Sequence, residues 1–416
     1  MNMKRLFSLS VAAALAWGGT FAAPITIVSP KDGATVPLLK SEMKEYLAKD
    51  RAARKVFFAD EKCRKDMSGW GDRPEPVTLE WAGDGDKYKV EVKRAADGKV
   101  VCRKGTSKHK VTLLNLEIAT EYLWQVSTKG GEIAKGRFTT EAVAPRLVRV
   151  DGIPNVRDLG GRIGLDGRRV RQGLVYRSGG LNNNANKYYT KEEIEKMLEQ
   201  GNLAESVPEL SKKEAEGIVS AKKQGKKIDY KHLVKKWEPA SKPRLTDKTR
   251  AYMCDTLGIR TDIDLRTDRE CYGMTGSPLG EGVKWVHVSS SSYGGMAGAE
   301  GKKAFAEVFR VFLDKANYPI DFHCIAGADR TGALAFILNG LLGVEEEELW
   351  KDWEVTAFQK SKLDFVHKTR FEKLVAVFDA YPGATINERI VAYVKGCGFT
   401  DADIAAFRGI MLEVGG

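Results

Sequence analysis

The chain has 416 residues, 30% of them charged and 43% hydrophobic, with 67 Lys and Arg against 56 Asp and Glu for a formal net charge of +11. That length predicts two domains with ample cores, and the surplus charge suits phosphorylated anions; with no nucleic-acid motif beside it, a nucleic-acid partner is excluded. The six cysteines are irregularly spaced, with no C-x-x-C pair and no Cys/His cluster, which excludes a disulfide scaffold and a zinc site and leaves Cys63 with Cys102 as the expected bridge in an oxidising compartment.

The first element is Met1-Asn2-Met3-Lys4-Arg5, an apolar run from Leu6 to about Trp17 and small residues around Thr20-Phe21-Ala22. This is the pattern of a signal peptide over residues 1–22, cut after Ala22 with no cysteine there to take a lipid. The run is too short to span a bilayer, and no later stretch reaches the roughly 18 apolar residues a transmembrane helix needs. The mature protein is therefore expected outside the cytoplasm, periplasmic or secreted, with no transmembrane segment.

Pro24 to Pro30 reads as a first strand closed by the turn Lys31-Asp32-Gly33, and Leu38 to about Cys63 carries helical spacing. From Pro76 the period falls to two, in Val77-Leu79-Trp81, Tyr88-Val90-Val92, Val111-Leu113, Tyr122-Trp124-Val126 and Phe138. Short alternating strands separated by Gly/Asp turns predict an all-β antiparallel sandwich over residues 23–141 with a helical insertion. With Trp81, Leu116, Tyr122, Trp124 and the closing Gly136-Arg137-Phe138-Thr139-Thr140, the segment resembles a fibronectin type III or immunoglobulin-like module. The aromatics are expected to be core. A spacer or docking role is expected for the module, with a protein or glycan as its ligand.

Beyond the junction at Ala142 to Pro145, strands at Val170–Arg177, Thr261–Leu265, Lys284–Val288 and Ile320–His323 alternate with helices at about 246–257, 301–316 and 331–342. That alternation predicts a three-layer α/β domain over residues 148–416 around a mainly parallel sheet. Within it, residues 182–244 form a lysine-rich insertion with helical pieces at Glu192–Leu198 and Lys212–Lys223. A lid or docking surface and a solvated helical hairpin are both open for it.

Between the last strand and the last of those helices lies Cys324-Ile325-Ala326-Gly327-Ala328-Asp329-Arg330, a C-x5-R loop. Five intervening residues let the backbone curl so that successive N–H groups of Ile325, Ala326, Gly327 and Ala328 converge on one centre above a helix N-terminus. The same field favours a thiolate at Cys324. Arg330 offers a planar fork for two phosphoryl oxygens, Thr331 a hydroxyl for the sulfur, and His323 hydrogen bonds that order the loop.

The string His-Cys-Ile-Ala-Gly-Ala-Asp-Arg-Thr-Gly resembles the signature of the protein tyrosine and dual-specificity phosphatase superfamily, in its bacterial H-C-x-x-G-x-D-R-T-G branch. Asn155 to Gly161 with Arg177-Ser178-Gly179, Gly258 to Glu270, and Asp352 to Thr356 resemble three further motifs of that branch. The resemblance implies a metal-free and cofactor-free phosphomonoesterase working through a phospho-cysteine, with phosphotyrosine in proteins or peptides as substrate and dual specificity as an extension. It implies Cys324, Arg330, Asp329 and Thr331 as catalytic residues. The loop residues 325–328, Arg266 and Asp268 are implied as substrate-binding, a structural ion pair between Asp264 and Arg266 being the competing role. Arg157 and Asp158 are expected to pair with each other and fix the entry loop, and a supporting role is expected for Glu354.

Two positions depart from the family pattern. The loop that normally carries a catalytic aspartate reads Ser289-Ser290-Ser291-Ser292-Tyr293-Gly294-Gly295, which leaves the general acid to Asp329 or, second, Asp268. Ala328 stands where phosphoinositide-preferring relatives carry lysine, which argues against inositol phospholipids. An inositol-phosphate phosphatase and a weakly active phosphate-binding pseudophosphatase are the alternative readings.

Overall fold

The computed structural model describes residues 24–57, 73–184, 191–203, 212–228, 244–359 and 371–414. The signal-peptide segment and Cys63 lie outside these residues; Cys102 is a free thiol. Two units divide the chain: Met1–Val36, Thr78–Leu113 and Glu121–Thr139 make the first, and Pro37–Val77, Leu114–Thr120 and Thr140–Gly416 the second.

Strand alternation builds the first unit. Its strands are β1 (Thr26–Ser29), β2 (Ala34–Val36), β3 (Val77–Ala82), β4 (Tyr88–Arg94), β5 (Val100–Thr106), β6 (Lys110–Leu113), β7 (Glu121–Thr128) and β8 (Ile133–Thr140). They form one sheet in the order β1-β3-β6 and a second in the order β2-β8-β7-β4-β5. Leu79 and Trp81, Tyr88 and Val90, and Tyr122 and Trp124 are buried because a period of two sends alternate side chains to the same face. Tyr122 lies opposite Phe138 and stacks on it, ring centroids 5.4 Å apart.

The second unit opens with α1 (Ser41–Ala48) and α2 (Arg51–Phe57). Sequence spacing gave this stretch its helices but assigned them to the sandwich. Instead Leu39, Met43, Tyr46 and Leu47 share a core with Leu147, Val355, Ala357 and Phe358 of the second unit. Helix propensity marks where a helix forms; which apolar surface it covers depends on a partner some 300 residues away.

The sheet of this unit comprises β9 (Arg146–Leu147), β10 (Arg157–Asp158), β11 (Val175–Ser178), β12 (Thr261–Asp264), β13 (Lys284–His287) and β14 (Ile320–His323), in the order β13-β12-β14-β11-β10-β9. β11, β12, β13 and β14 run parallel, and β10 pairs antiparallel with β9 and β11. The strand expected over Val170–Arg177 starts only at Val175: Gly173 turns the chain at φ +81°, and Val170 makes only an isolated bridge to Leu412.

Helices α3 (Lys191–Gln200) and α4 (Lys212–Lys223) belong to the lysine-rich insertion and share a small core of Ile194, Leu203 and Ala215. Then follow α5 (Asp247–Ala251), α6 (Ala299–Phe312), α7 (Arg330–Leu341), α8 (Glu346–Glu354), α9 (Glu372–Phe378), α10 (Ile386–Gly396) and α11 (Asp401–Met411). Residues Thr331 to Leu341 of α7 are buried, which explains why its sequence is apolar all round. β14 sits between β12 and β11, so its C-terminal end opens where parallel sheets place ligands. No described helix is long and apolar enough to cross a membrane.

Candidate active site

β14 ends at His323 and α7 begins at Arg330, so residues 324–329 must turn between two fixed, buried elements. If the amides of such a loop face inward, its carbonyls face outward into protein and need donors there. The donors are present. Ala326 O accepts from Asn155 Nδ2 (3.2 Å) and Gln359 Nε2 (3.3 Å), and Gly327 O from Asn155 Nδ2 (2.8 Å) and Arg177 Nη2 (2.7 Å). Ile325 O accepts from Gly180 N at 3.0 Å. Gly327 holds φ +65°, and a Cβ there would lie 2.5 Å from Ser178 O, so only glycine fits.

Cys324 is buried at the loop's start. Burial pushes its thiol up, yet the Thr331 hydroxyl, the Arg330 charge and the N–H groups of Thr331 and Ala326 outweigh it and hold the thiol below its ordinary value. The Thr331 hydroxyl is buried without a well-formed hydrogen bond of its own, which leaves the sulfur as the group it serves. Arg330 donates to Glu270 through Nη1 (2.7 Å) and Nη2 (3.3 Å), and through Nη1 to Leu265 O (3.3 Å). Glu270 also accepts from Thr267 N (2.7 Å) and Oγ1 (3.0 Å), so the loop after β12 fixes the guanidinium plane.

Beneath the loop lie two charged layers. Asp352 meets Arg177 Nη1 at 2.5 Å, Arg162 Nη2 at 3.2 Å and Arg157 Nε at 3.5 Å, all three arginines fully buried. In the other layer, His323 Nε2 lies 3.0 Å from Asp262 Oδ1 and 3.9 Å from Asp264 Oδ2. Burial works against the imidazolium, but Asp264 and Asp262 raise its pKa to about 9, placing a cation directly before Cys324. Asp321, on the same strand, is pushed up to about 7, chiefly by burial.

Cys324, residues 325–328 and Asp329 form the loop, Arg330 and Thr331 open α7 directly after it, and the other expected residues lie elsewhere. Arg266 is buried with its nitrogens bonded to Asp264, Asn182 (2.8 Å), Asn184 (3.1 Å) and Met274 Sδ, which is the ion-pair role and not a ligand-facing one. Asp268 has a side chain 92% exposed and stands 3.8 Å from His287 Nδ1. Arg157 is buried against Asp352 and Asn155 while Asp158 pairs with Arg146, in place of the expected pair between the two, and Glu354 is buried against Arg54.

Glu270, Asn155, Gln359 and Tyr293 were not singled out in sequence. Tyr293 Oη donates to Asp329 Oδ1 from the serine-rich loop that lacks a carboxylate. Asn155 and Glu270 lay inside recognised motifs; nothing in the spacing marked Gln359 or Tyr293. No cluster of metal-ligating side chains occurs among the described residues.

A strand, a cysteine-led amide cradle, an arginine and a helix define the class of C-x5-R phosphate-loop proteins. The family model described as tyrosine phosphatase family matches residues 148–199 and 221–413, and the chain belongs to that family. A tyrosine-protein phosphatase of Nostoc commune is 30% identical over 146 residues, an alignment covering 27% of this chain. The chain spans 45% of that relative's length. Among solved structures, the core catalytic domain of the PP-IP phosphatase SIW14 from S. cerevisiae, in complex with citrate, is 17% identical with a TM-score of 0.23 over 36% of this chain and 76% of that one.

Proposed function

We propose that the protein is a phosphatase that hydrolyses phosphomonoesters through a phospho-cysteine, with phosphotyrosine in proteins as its main substrate and dual specificity as an extension. The observation that carries this is a buried thiol held below its ordinary pKa between inward amides and an arginine clamped by Glu270. Cys324 Sγ attacks phosphorus in line, the ester P–O bond breaks, and Asp329 gives its proton to the leaving oxygen. Water then attacks phosphorus with its proton passing to the Asp329 carboxylate; the S–P bond breaks and Thr331 supports the departing thiolate. Arg330 and the loop amides hold the equatorial oxygens throughout.

Ala328, and the engagement of Arg266 with Asp264, leave the loop without a cation for a second phosphate, which favours a phosphotyrosine side chain over inositol polyphosphates. The N-terminal unit is a fibronectin type III-like spacer or docking module, a reading supported by its three-stranded sheet β1-β3-β6 and five-stranded sheet β2-β8-β7-β4-β5, with Trp81 of the first packed on Tyr88 of the second. Export by a signal peptide to a periplasm or beyond completes the proposal, with the lysine-rich insertion as a helical lid or substrate-docking surface.

Turnover of 4-nitrophenyl phosphate by the wild type and not by Cys324→Ser is the expected result. Equal rates for the two leave only a phosphate-binding module. A panel of phosphopeptides against inositol phosphates decides the substrate class.

A further inference from the structure

The segment Ser289 to Gly295 stands where relatives place a catalytic aspartate and carries none, yet it contributes directly to the site. Tyr293 has φ +51°, a left-handed conformation that crowds an aromatic Cβ, and the residue is 9% exposed. Such a residue persists only where its surroundings hold it. The ring packs edge-on against Phe371, centroids 6.1 Å apart. The turn that follows, Tyr293–Ala297, is pinned twice: Tyr393 Oη donates to Met296 O at 3.0 Å, and α6 approaches so closely that a Cβ on Gly301 would lie 2.2 Å from Gly295 O.

The acceptor of the phenol is unusual in its own way. Asp329 holds the N-cap position of α7, where an aspartate ordinarily accepts from the helix's first amides. Here its side chain makes no capping bond and turns to Tyr293 Oη, which donates to Oδ1.

We propose that Tyr293 is the positioning residue for the proton donor of phosphoryl transfer: its phenol fixes Oδ1 of Asp329 so that Oδ2 carries the proton to the leaving oxygen. This deepens the proposed function and rests on it. As the Sγ–P bond forms and the ester P–O bond breaks, the electron pair stays on the leaving oxygen, which takes the Oδ2 proton. The phenol keeps its own proton throughout. A strained aromatic thus does for a loop aspartate what a helix cap would otherwise undo.

The test is Tyr293→Phe, which keeps the ring and the Phe371 contact, assayed as kcat/KM over a series of aryl phosphates with leaving-group pKa rising from 4-nitrophenol to phenol. Little change for 4-nitrophenyl phosphate and a loss of about 10- to 100-fold for phenyl phosphate are expected. Asp329→Asn should steepen the same dependence, and adding Tyr293→Phe to it should cost nothing further. A loss equal across the series, or one that multiplies fully with Asp329→Asn, overturns the proposal, because a loosened loop slows every substrate alike. If Tyr293→Phe does not fold, a flat leaving-group dependence in Asp329→Asn overturns it as well. Wild-type turnover that survives Cys324→Ser would instead sink the proposed function itself.

Discussion

Removing Arg54 is expected to unfold the catalytic unit at lower temperature, although residue 54 lies far from the active-site loop in sequence. Arg54 is fully buried and its Nε meets Glu354 Oε2 at 2.5 Å; Glu354 is 1% exposed on its side chain. In Arg54→Met the carboxylate keeps the more distant charge of Arg51 and Tyr46 Oη at 3.4 Å, beyond a good O–H···O distance. Breaking one side of a buried pair costs about 3–5 kcal/mol. The second arm, to Glu347, is 44% exposed on the acid's side and adds about 0–1 kcal/mol. About 4 kcal/mol corresponds to a fall of roughly 10 °C for a unit of this size. Differential scanning calorimetry on the full chain measures it, with the catalytic transition identified as the one that vanadate raises. Burial already holds the Glu354 carboxyl above its ordinary value against the pull of Arg54. Without Arg54 the acid takes a proton more readily, so the deficit should shrink as pH falls. Arg54→Met with Glu354→Gln should recover most of the loss, since a neutral amide needs no counter-charge. An unchanged melting temperature in the single variant, or a double variant no more stable than the single, refutes the reasoning.

Gly327→Ala should abolish turnover and vanadate binding, because the left-handed backbone alone costs roughly 1–2 kcal/mol and the new methyl would sit against Ser178 O; wild-type vanadate affinity would contradict it. Glu270→Gln should lower kcat/KM about tenfold with little change in melting temperature, since Arg330 loses its charged clamp but keeps a hydrogen-bond acceptor. Asp321→Asn should stabilise the protein in a pH-dependent way. Burial raises the Asp321 carboxyl from 3.8 to about 7, so across that window the folded state holds a proton that the unfolded chain has released, and stability falls as pH rises. The gain from the amide should be absent near the bottom of that window and complete above its top; melts at stepped pH that show the opposite slope count against it.

The phosphate loop was legible in sequence because every member of it lies within ten consecutive residues and its geometry follows from local spacing. The parallel strands were legible as short segments between helical stretches, β12 reading Thr-Asp-Ile-Asp and β14 Ile-Asp-Phe-His, but their alternation hid that Asp262, Asp264, Asp321 and His323 are buried as well. Long-range assignments were not legible. Arg266 and Asp268 both follow the C-terminal end of β12, and sequence offered no reason to separate them; packing buried one against Asp264 and left the other in solvent. Helices α1 and α2 were visible as helices, but their partner surface, Leu147 and Val355 to Phe358, is fixed by tertiary contact alone. Tyr293 was hidden because its conformation defies its residue type: an aromatic after four serines reads as loop, and only the completed fold explains its φ of +51°.

The charge around the loop is decided as much below it as within it. Arg330 is matched by Glu270, and the His323 and Arg266 charges by Asp262 and Asp264, so those groups roughly cancel. The layer around Asp352 does not cancel: three fully buried arginines share one buried carboxylate, and the next acid, Glu348, stands 3.7 Å from Arg162 while also holding Lys351 at 2.9 Å. Burial lowers the Arg177 pKa, and Cys324 is among the groups that pull it back up, so the arginine and the thiolate favour each other's charge. Arg177 also carries Gly327 O, which couples that charge to the turn of the loop. A neutral thiol would leave this cationic excess uncompensated in a medium where isolated charge is costly. A thiolate at Cys324 is therefore part of what stabilises the core beneath the loop, and Arg177, held by Asp352, bears on the sulfur through its charge.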